Sequence, residues 1–101
     1  MNTPLTNQQR RALKALAQRL DPAMHVGKAG VTETFIAALS EALAARELIK
    51  IKFTALQEQR KELSAEIAAR TDSHLVWIVG HVAVFYRTQP DPARRRVSLD
   101  R

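Results

Sequence analysis

Between Thr6 and Leu20 the apolar residues Leu13, Leu16, Ala17 and Leu20 recur at helical spacing, while Arg10, Lys14 and Gln18 share another face with Arg11 beside it. That pattern predicts an amphipathic helix with a basic outer side. Thr6 and Gln9 are spaced as a capping box at its start. Asp21-Pro22 ends it, because proline disfavours α backbone in the residue before it. Ala23 to Val26 then reads as a short strand. A second helix is expected over residues 33–46, with Phe35, Ile36, Leu39, Ala42 and Leu43 on one face. Thr32 is its natural N-cap, and Val31 and Ile36 stand where a hydrophobic staple would close. Leu48 to Phe53 alternates strictly: Ile49, Ile51 and Phe53 turn to one face of a strand, and Leu48, Lys50 and Lys52 to the other, away from the core.

The pattern returns to a helical period from about Leu56 to Arg70, with Leu63, Ile67 and Ala68 inward and Gln59, Arg60, Glu62 and Glu66 mostly outward. Thr71-Asp72-Ser73 breaks it. His74 to Val79 is strongly β-prone, Gly80-His81 suits a two-residue hairpin turn, and Val82 to Arg87 brings the chain back. The order is αβαβαββ. It implies an α/β fold in which three helices pack on a four-stranded mixed sheet, with a right-handed crossover where strands are separated by helices. Residues 1–88 form the domain. Residues 89–101, with two prolines and the run Arg94-Arg95-Arg96, read as a basic, flexible tail.

Length and composition agree with one small folded domain: 101 residues, 46% of them hydrophobic, with three Gly and four Pro. The net charge of +6 is unevenly placed. Residues 1–52 carry eight Lys/Arg against four Asp/Glu, residues 53–87 four against four, and residues 88–101 four against two. The excess thus gathers in the first half and the tail, which suits a polyanionic partner. The absence of cysteine removes disulfides, thiolate nucleophiles and cysteine-ligated zinc. No secretory signal or membrane span is evident, so a cytoplasmic protein is expected.

The chemistry is concentrated at Gly27-Lys28-Ala29-Gly30. Glycine tolerates positive φ and has no Cβ to hold a ligand away, so two glycines flanking a cation allow close approach of a phosphate. The helix expected to start after Thr32 would point its free N–H groups back at the same place. A plain strand-to-helix turn would give the same four residues. Lys50 and Lys52 likewise fit either a binding face or a solvated edge strand, and Arg94 to Arg96 either added phosphate contacts or a solubilising end. His25, His74 and His81 lack metal-ligand spacing, and no nucleophile elbow, P-loop or zinc-helix motif occurs. Glu58, Glu62 and Glu66 share a helix face, but the interleaved Arg60, Lys61 and Arg70 make it a solvated surface. No enzymatic activity, cofactor, metal or small-molecule substrate is expected.

Together, Leu13-Lys14-Ala15-Leu16-Ala17, the loop Val26 to Glu33, Glu47-Leu48-Ile49-Lys50-Ile51-Lys52, Val79-Gly80, Tyr86-Arg87 and Val97-Ser98-Leu99 resemble the CRM domain family in its stand-alone bacterial YhbY-like form. The resemblance covers nearly the whole chain. It implies a fold similar to the C-terminal domain of a bacterial translation initiation factor, and RNA binding in association with precursors of the large ribosomal subunit. By position, Gly27, Lys28, Ala29 and Gly30 match the family's G-x-x-G loop, and Lys50 and Lys52 its basic second strand. His81 departs from the lysine or arginine usual after the hairpin glycine and is left out of the site.

The expected function is therefore non-enzymatic RNA binding in ribosome assembly, by a monomer, with ribosomal RNA as partner. The loop and Thr32 would grip the backbone, with Arg10, Arg11, Lys14, Lys50, Lys52 and Arg94, Arg95 and Arg96 widening the basic surface. With few aromatics, recognition of shape is expected over base stacking. The competing expectation is a protein-interaction module that docks on ribosomal proteins without touching RNA.

Overall fold

The computed structural model describes residues 4–97; Ser98 and Leu99 of the tail, and the extreme N-terminus, lie outside them. Its elements are α1 (Asn7–Ala17), β1 (Met24–Val26), α2 (Glu33–Arg46), β2 (Leu48–Phe53), α3 (Arg60–Thr71), β3 (His74–Val79) and β4 (Val82–Tyr86). The strands form one sheet in the order β1-β2-β4-β3. β1 runs parallel to β2, and the other two pairings are antiparallel. This is the expected αβαβαββ fold with a four-stranded mixed sheet and three helices.

Local chemistry sets the ends of the elements. Thr6 Oγ1 accepts from the Gln9 N–H at 3.0 Å and Gln9 Oε1 accepts from the Thr6 N–H at 3.0 Å, completing the capping box. Thr32 Oγ1 accepts from the Phe35 N–H at 3.0 Å and caps α2. The third helix begins later than its periodicity suggests. Leu56 has φ +57, a left-handed backbone that no α-helix can include, and a single 3₁₀ turn over Gln57–Gln59 leads into α3.

Two apolar layers lie on opposite faces of the sheet. On one, Leu39 and Leu43 of α2 and Ile67 of α3 pack against Val26, Ile49, Ile51, Phe53, Ala83 and Phe85. On the other, Leu13 and Ala17 of α1 cover Leu48, Val76, Val84 and Tyr86, with Leu5 and Val97 packed against the same cluster. The strict alternation in β2 is thereby explained, with one amendment: Leu48 shares the lysine face yet is buried beneath α1.

The faces of α1 also differ from the sequence reading. Leu16 and Leu20 remain 41% and 38% exposed. A three-residue β1 does not extend the sheet far enough to cover them. Conversely, the supposed outer residues Arg10 and Lys14 turn onto β3. Arg10 Nη1 donates to the Leu75 and Val76 carbonyls, each at 2.8 Å, and the Lys14 ammonium stands 5.4 Å from the centre of the Trp77 ring. The Arg10 contact falls where a bulge between Leu75 and Trp77 disturbs the ladder.

Glu47 governs the end of the chain. It caps α2 with φ +69 and is fully buried. Its Oε2 accepts from the Gln89 N–H at 2.7 Å, and its Oε1 accepts from the Arg96 and Val97 N–H groups at 2.6 and 2.7 Å. Composition suggests a loose tail after Thr88, but as far as Val97 the backbone is held by this carboxylate. Arg87 makes a second tie, donating to Ser40 on α2 and to the Thr71 carbonyl on α3.

His74 stacks on Tyr86 with ring centres 6.3 Å apart. Burial lowers its pKa below the ordinary 6.5, the nearby Arg10 charge lowers it further, and Asp72 opposes. The folded protein therefore binds this proton less readily than the unfolded chain. Stability should fall as pH drops through the unfolded value near 6.5, with no penalty from this group well above it. Urea unfolding at pH 7.5, 6.0 and 5.0 should show a shallower acid loss in His74→Gln than in the parent chain; parallel curves would rule the effect out.

Candidate nucleic-acid interface

The loop 27–30 is built by its surroundings. The Gly30 N–H donates to the Gly27 carbonyl at 3.0 Å, closing a tight turn. Gly30 has φ +76, so glycine is needed there for conformation; a Cβ would meet only Leu56 Cδ1, at an ordinary 3.5 Å. Gly27 carries no such demand, since a Cβ would find nothing nearer than Thr54 Oγ1 at 3.9 Å. Its lack of a side chain leaves the backbone open to a ligand instead.

The base of the loop is fixed to the segment after β2. The Val26 carbonyl accepts from the Thr54 and Ala55 N–H groups at 3.0 and 3.2 Å and from Thr54 Oγ1 at 3.2 Å. The β3–β4 turn joins the same end of the sheet, where the Phe53 N–H donates to the His81 carbonyl at 2.7 Å. The exposed Lys28 is thus presented on a braced turn. Beside it begins α2, whose first-turn N–H groups have no partner within the helix. Glu33 sits in that turn and reduces its positive field, with Arg70 3.9 Å from its carboxylate.

Lys52 is exposed and belongs to this end of the sheet. Its register partners are His25 on β1 and Val82 on β4. His25 and His81, both exposed, are the neighbours that sequence reasoning left out. The signal for His25 lies in the β1–β2 register, which local pattern does not reveal. Among the described residues, no group of three or more His, Cys, Asp or Glu side chains could hold a metal.

The other expected site residues disperse. Gly27, Lys28, Ala29, Gly30, Thr32 and Lys52 gather at the loop end. Lys50, two residues from Lys52 and about 6.6 Å along the strand, sends its ammonium back to the Leu20 carbonyl at 2.8 Å. Arg10 and Lys14 are occupied on β3, while Arg11 stays on the solvent side of α1. Arg94, Arg95 and Arg96 lie at the opposite end of β2, near Ala44 and Ala45 of α2, and Arg95 Nε donates to the Gln89 carbonyl at 2.8 Å. The principal extents of the molecule are 38 × 24 × 23 Å, so one RNA must span much of the domain to touch both ends.

Comparison with known proteins gives one consistent result. The sequence profile of the CRS1 / YhbY (CRM) domain matches residues 5–87. A Pseudomonas aeruginosa protein named "probable RNA-binding protein" is 35% identical over 98 residues, covering 96% of this chain and 94% of that one. A Haemophilus influenzae protein named "RNA-binding protein" is 36% identical over 86 residues, 84% of this chain and 87% of that one. The solution structure of a hypothetical protein from Staphylococcus aureus superposes with a TM-score of 0.77 at 32% identity, covering 94% of this chain and all of that one.

Proposed function

The chain belongs to the CRS1 / YhbY (CRM) domain family, and from that premise we propose that it binds RNA without enzymatic activity, gripping backbone phosphates at the loop end of the sheet. The supporting observation is the convergence of the Gly27–Gly30 turn, the capped start of α2 and the exposed Lys52 on one end of the sheet. Lys28 and Lys52 supply free ammonium groups, and Gly27 lets the backbone itself come close. Arg11 and Arg94 to Arg96 extend the positive field beyond that end, whereas Arg10, Lys14 and Lys50 act mainly through the protein contacts they already make. The names of the Pseudomonas aeruginosa and Haemophilus influenzae relatives agree with the RNA assignment. The finer reading is a cytoplasmic protein that joins ribosomal RNA in precursors of the large subunit.

The test is titration of a labelled large-subunit RNA hairpin at several salt concentrations. The logarithm of the affinity should fall linearly with log salt, with a slope of about 0.7–0.9 for each phosphate neutralised. Lys28→Ala should weaken binding several-fold and reduce the slope by about 1. A slope unchanged by that substitution would reject Lys28 as a phosphate contact. Separately, the tagged protein should sediment with large-subunit precursors in a sucrose gradient, and its confinement to the top of the gradient would reject the ribosomal reading.

A further inference from the structure

A groove of about 680 Å³ opens at the far end of β2 from the loop. Its floor includes Leu48, Ile49 and Val97, and its rim Leu16 and Leu20. These last two are among the three large apolar side chains left exposed in the described residues. Arg19, Arg46 and Arg96 also line it, against the single carboxylate of Asp21.

The backbone beside this groove is an unfinished sheet edge. β1 pairs only with Ile51 to Phe53, so on the side away from β4 no strand lies beside β2 from Leu48 to Lys50, and the one backbone contact there among the described residues is the Ala23 N–H that donates to the Lys50 carbonyl at 2.8 Å. Parity decides which groups face outward. The Glu47 carbonyl accepts from Arg87, and the Phe53 N–H donates to His81, so odd-numbered residues of β2 turn their backbone toward β4. Leu48 therefore turns its N–H and carbonyl to the groove.

We propose that this groove receives an extended, acidic and apolar segment of a partner protein, which adds as a strand on the edge of β2 at Leu48. Strand addition satisfies the outward backbone groups. Alternate apolar side chains cover Leu16, Leu20 and Val97, and acidic residues between them meet Arg19, Arg46 and Arg96. The groove lies at the other end of β2 from Lys28 and Lys52 and so is distinct from the loop-end phosphate grip, although Arg96 also adds to the wider positive field, and this inference does not depend on the RNA reading.

The probe is a fluorescein-labelled eight-residue peptide of alternating valine and glutamate, measured by fluorescence anisotropy against the full chain. The expected result is saturable binding, weakened at least tenfold by N-methylation of alternate peptide bonds, which removes strand hydrogen bonds without changing charge. Arg19→Glu with Arg46→Glu should also weaken it tenfold or more, as should Leu16→Asp alone. All three residues are exposed, and unchanged thermal unfolding would show the fold intact. Undetectable binding, or equal binding of the methylated peptide, would overturn the proposal. Loss of RNA hairpin affinity in the Arg19→Glu/Arg46→Glu chain as large as that in Lys28→Ala would reassign the groove to RNA. Peptide binding that emerges only when the chain is cut after Val97 would reassign it to residues 98–101.

Discussion

Replacing Glu47 with alanine should cost about 3–5 kcal/mol of stability, a large share of what a domain this size has. The carboxylate is fully buried, and it is the acceptor for three backbone N–H groups from the end of the chain. Hydrogen bonds to a charged acceptor contribute about 1.5–3 kcal/mol each. Part of that returns when the freed segment reaches water, which sets the estimate below the sum. Two further variants separate the causes. Glu47→Gly loses the same bonds but relieves the strain of φ +69, so it should be about 1 kcal/mol more stable than Glu47→Ala. Glu47→Gln keeps the shape but turns an amide donor toward an N–H group, so it should fall between alanine and the parent. Thermal unfolding reads this as a drop of roughly 12–40 °C for alanine, at about 4–8 °C per kcal/mol. A loss under about 1 kcal/mol would mean that the carboxylate does not hold the tail.

The second large effect is on binding. Reversing both Lys28→Glu and Lys52→Glu should weaken RNA affinity about 100-fold at moderate salt, taking each lost phosphate contact as about 1.4 kcal/mol. Both side chains are exposed, and stability should change by less than about 0.5 kcal/mol per site. Arg10→Ala should do the reverse: it removes two hydrogen bonds to β3, lowering stability while leaving affinity nearly intact. Paired measurements of melting temperature and RNA affinity on the two variants separate cations that face the ligand from cations that hold the protein. Equal affinity loss in both would contradict the division of roles made from their contacts.

How much of this is legible in the sequence depends on how local each cause is. The span of α2 and the strict alternation of β2 follow from neighbours within a few residues, and both match the structure. So does the capping box of α1. The faces of α1 are harder, because whether Leu16 is covered depends on the width of a sheet whose edge strand lies in another segment. Arg10 and Lys14 look like a solvated basic stripe until the bulged β3, more than 60 residues away, comes beneath them. The loop is legible as a glycine-flanked cation, yet its neighbours His25 and His81 come from strand register and the hairpin turn. Glu47 carries no local sign at all: it follows a helix, and its partners lie 42 to 50 residues later.

That last separation has a temporal meaning. A ribosome delivers the chain from its N-terminus, and the partners of Glu47 are among the last of the described residues to emerge. Until they do, α2 ends on a strained residue whose carboxylate has no native acceptor role, and β2 still lacks β4, its antiparallel neighbour. Such distant pairings delay folding because the loop must close before any contact repays it. The contacts of the Glu47 carboxylate therefore form late, only once Val97 has emerged, and a chain broken off before Gln89 would lack all three of its backbone donors.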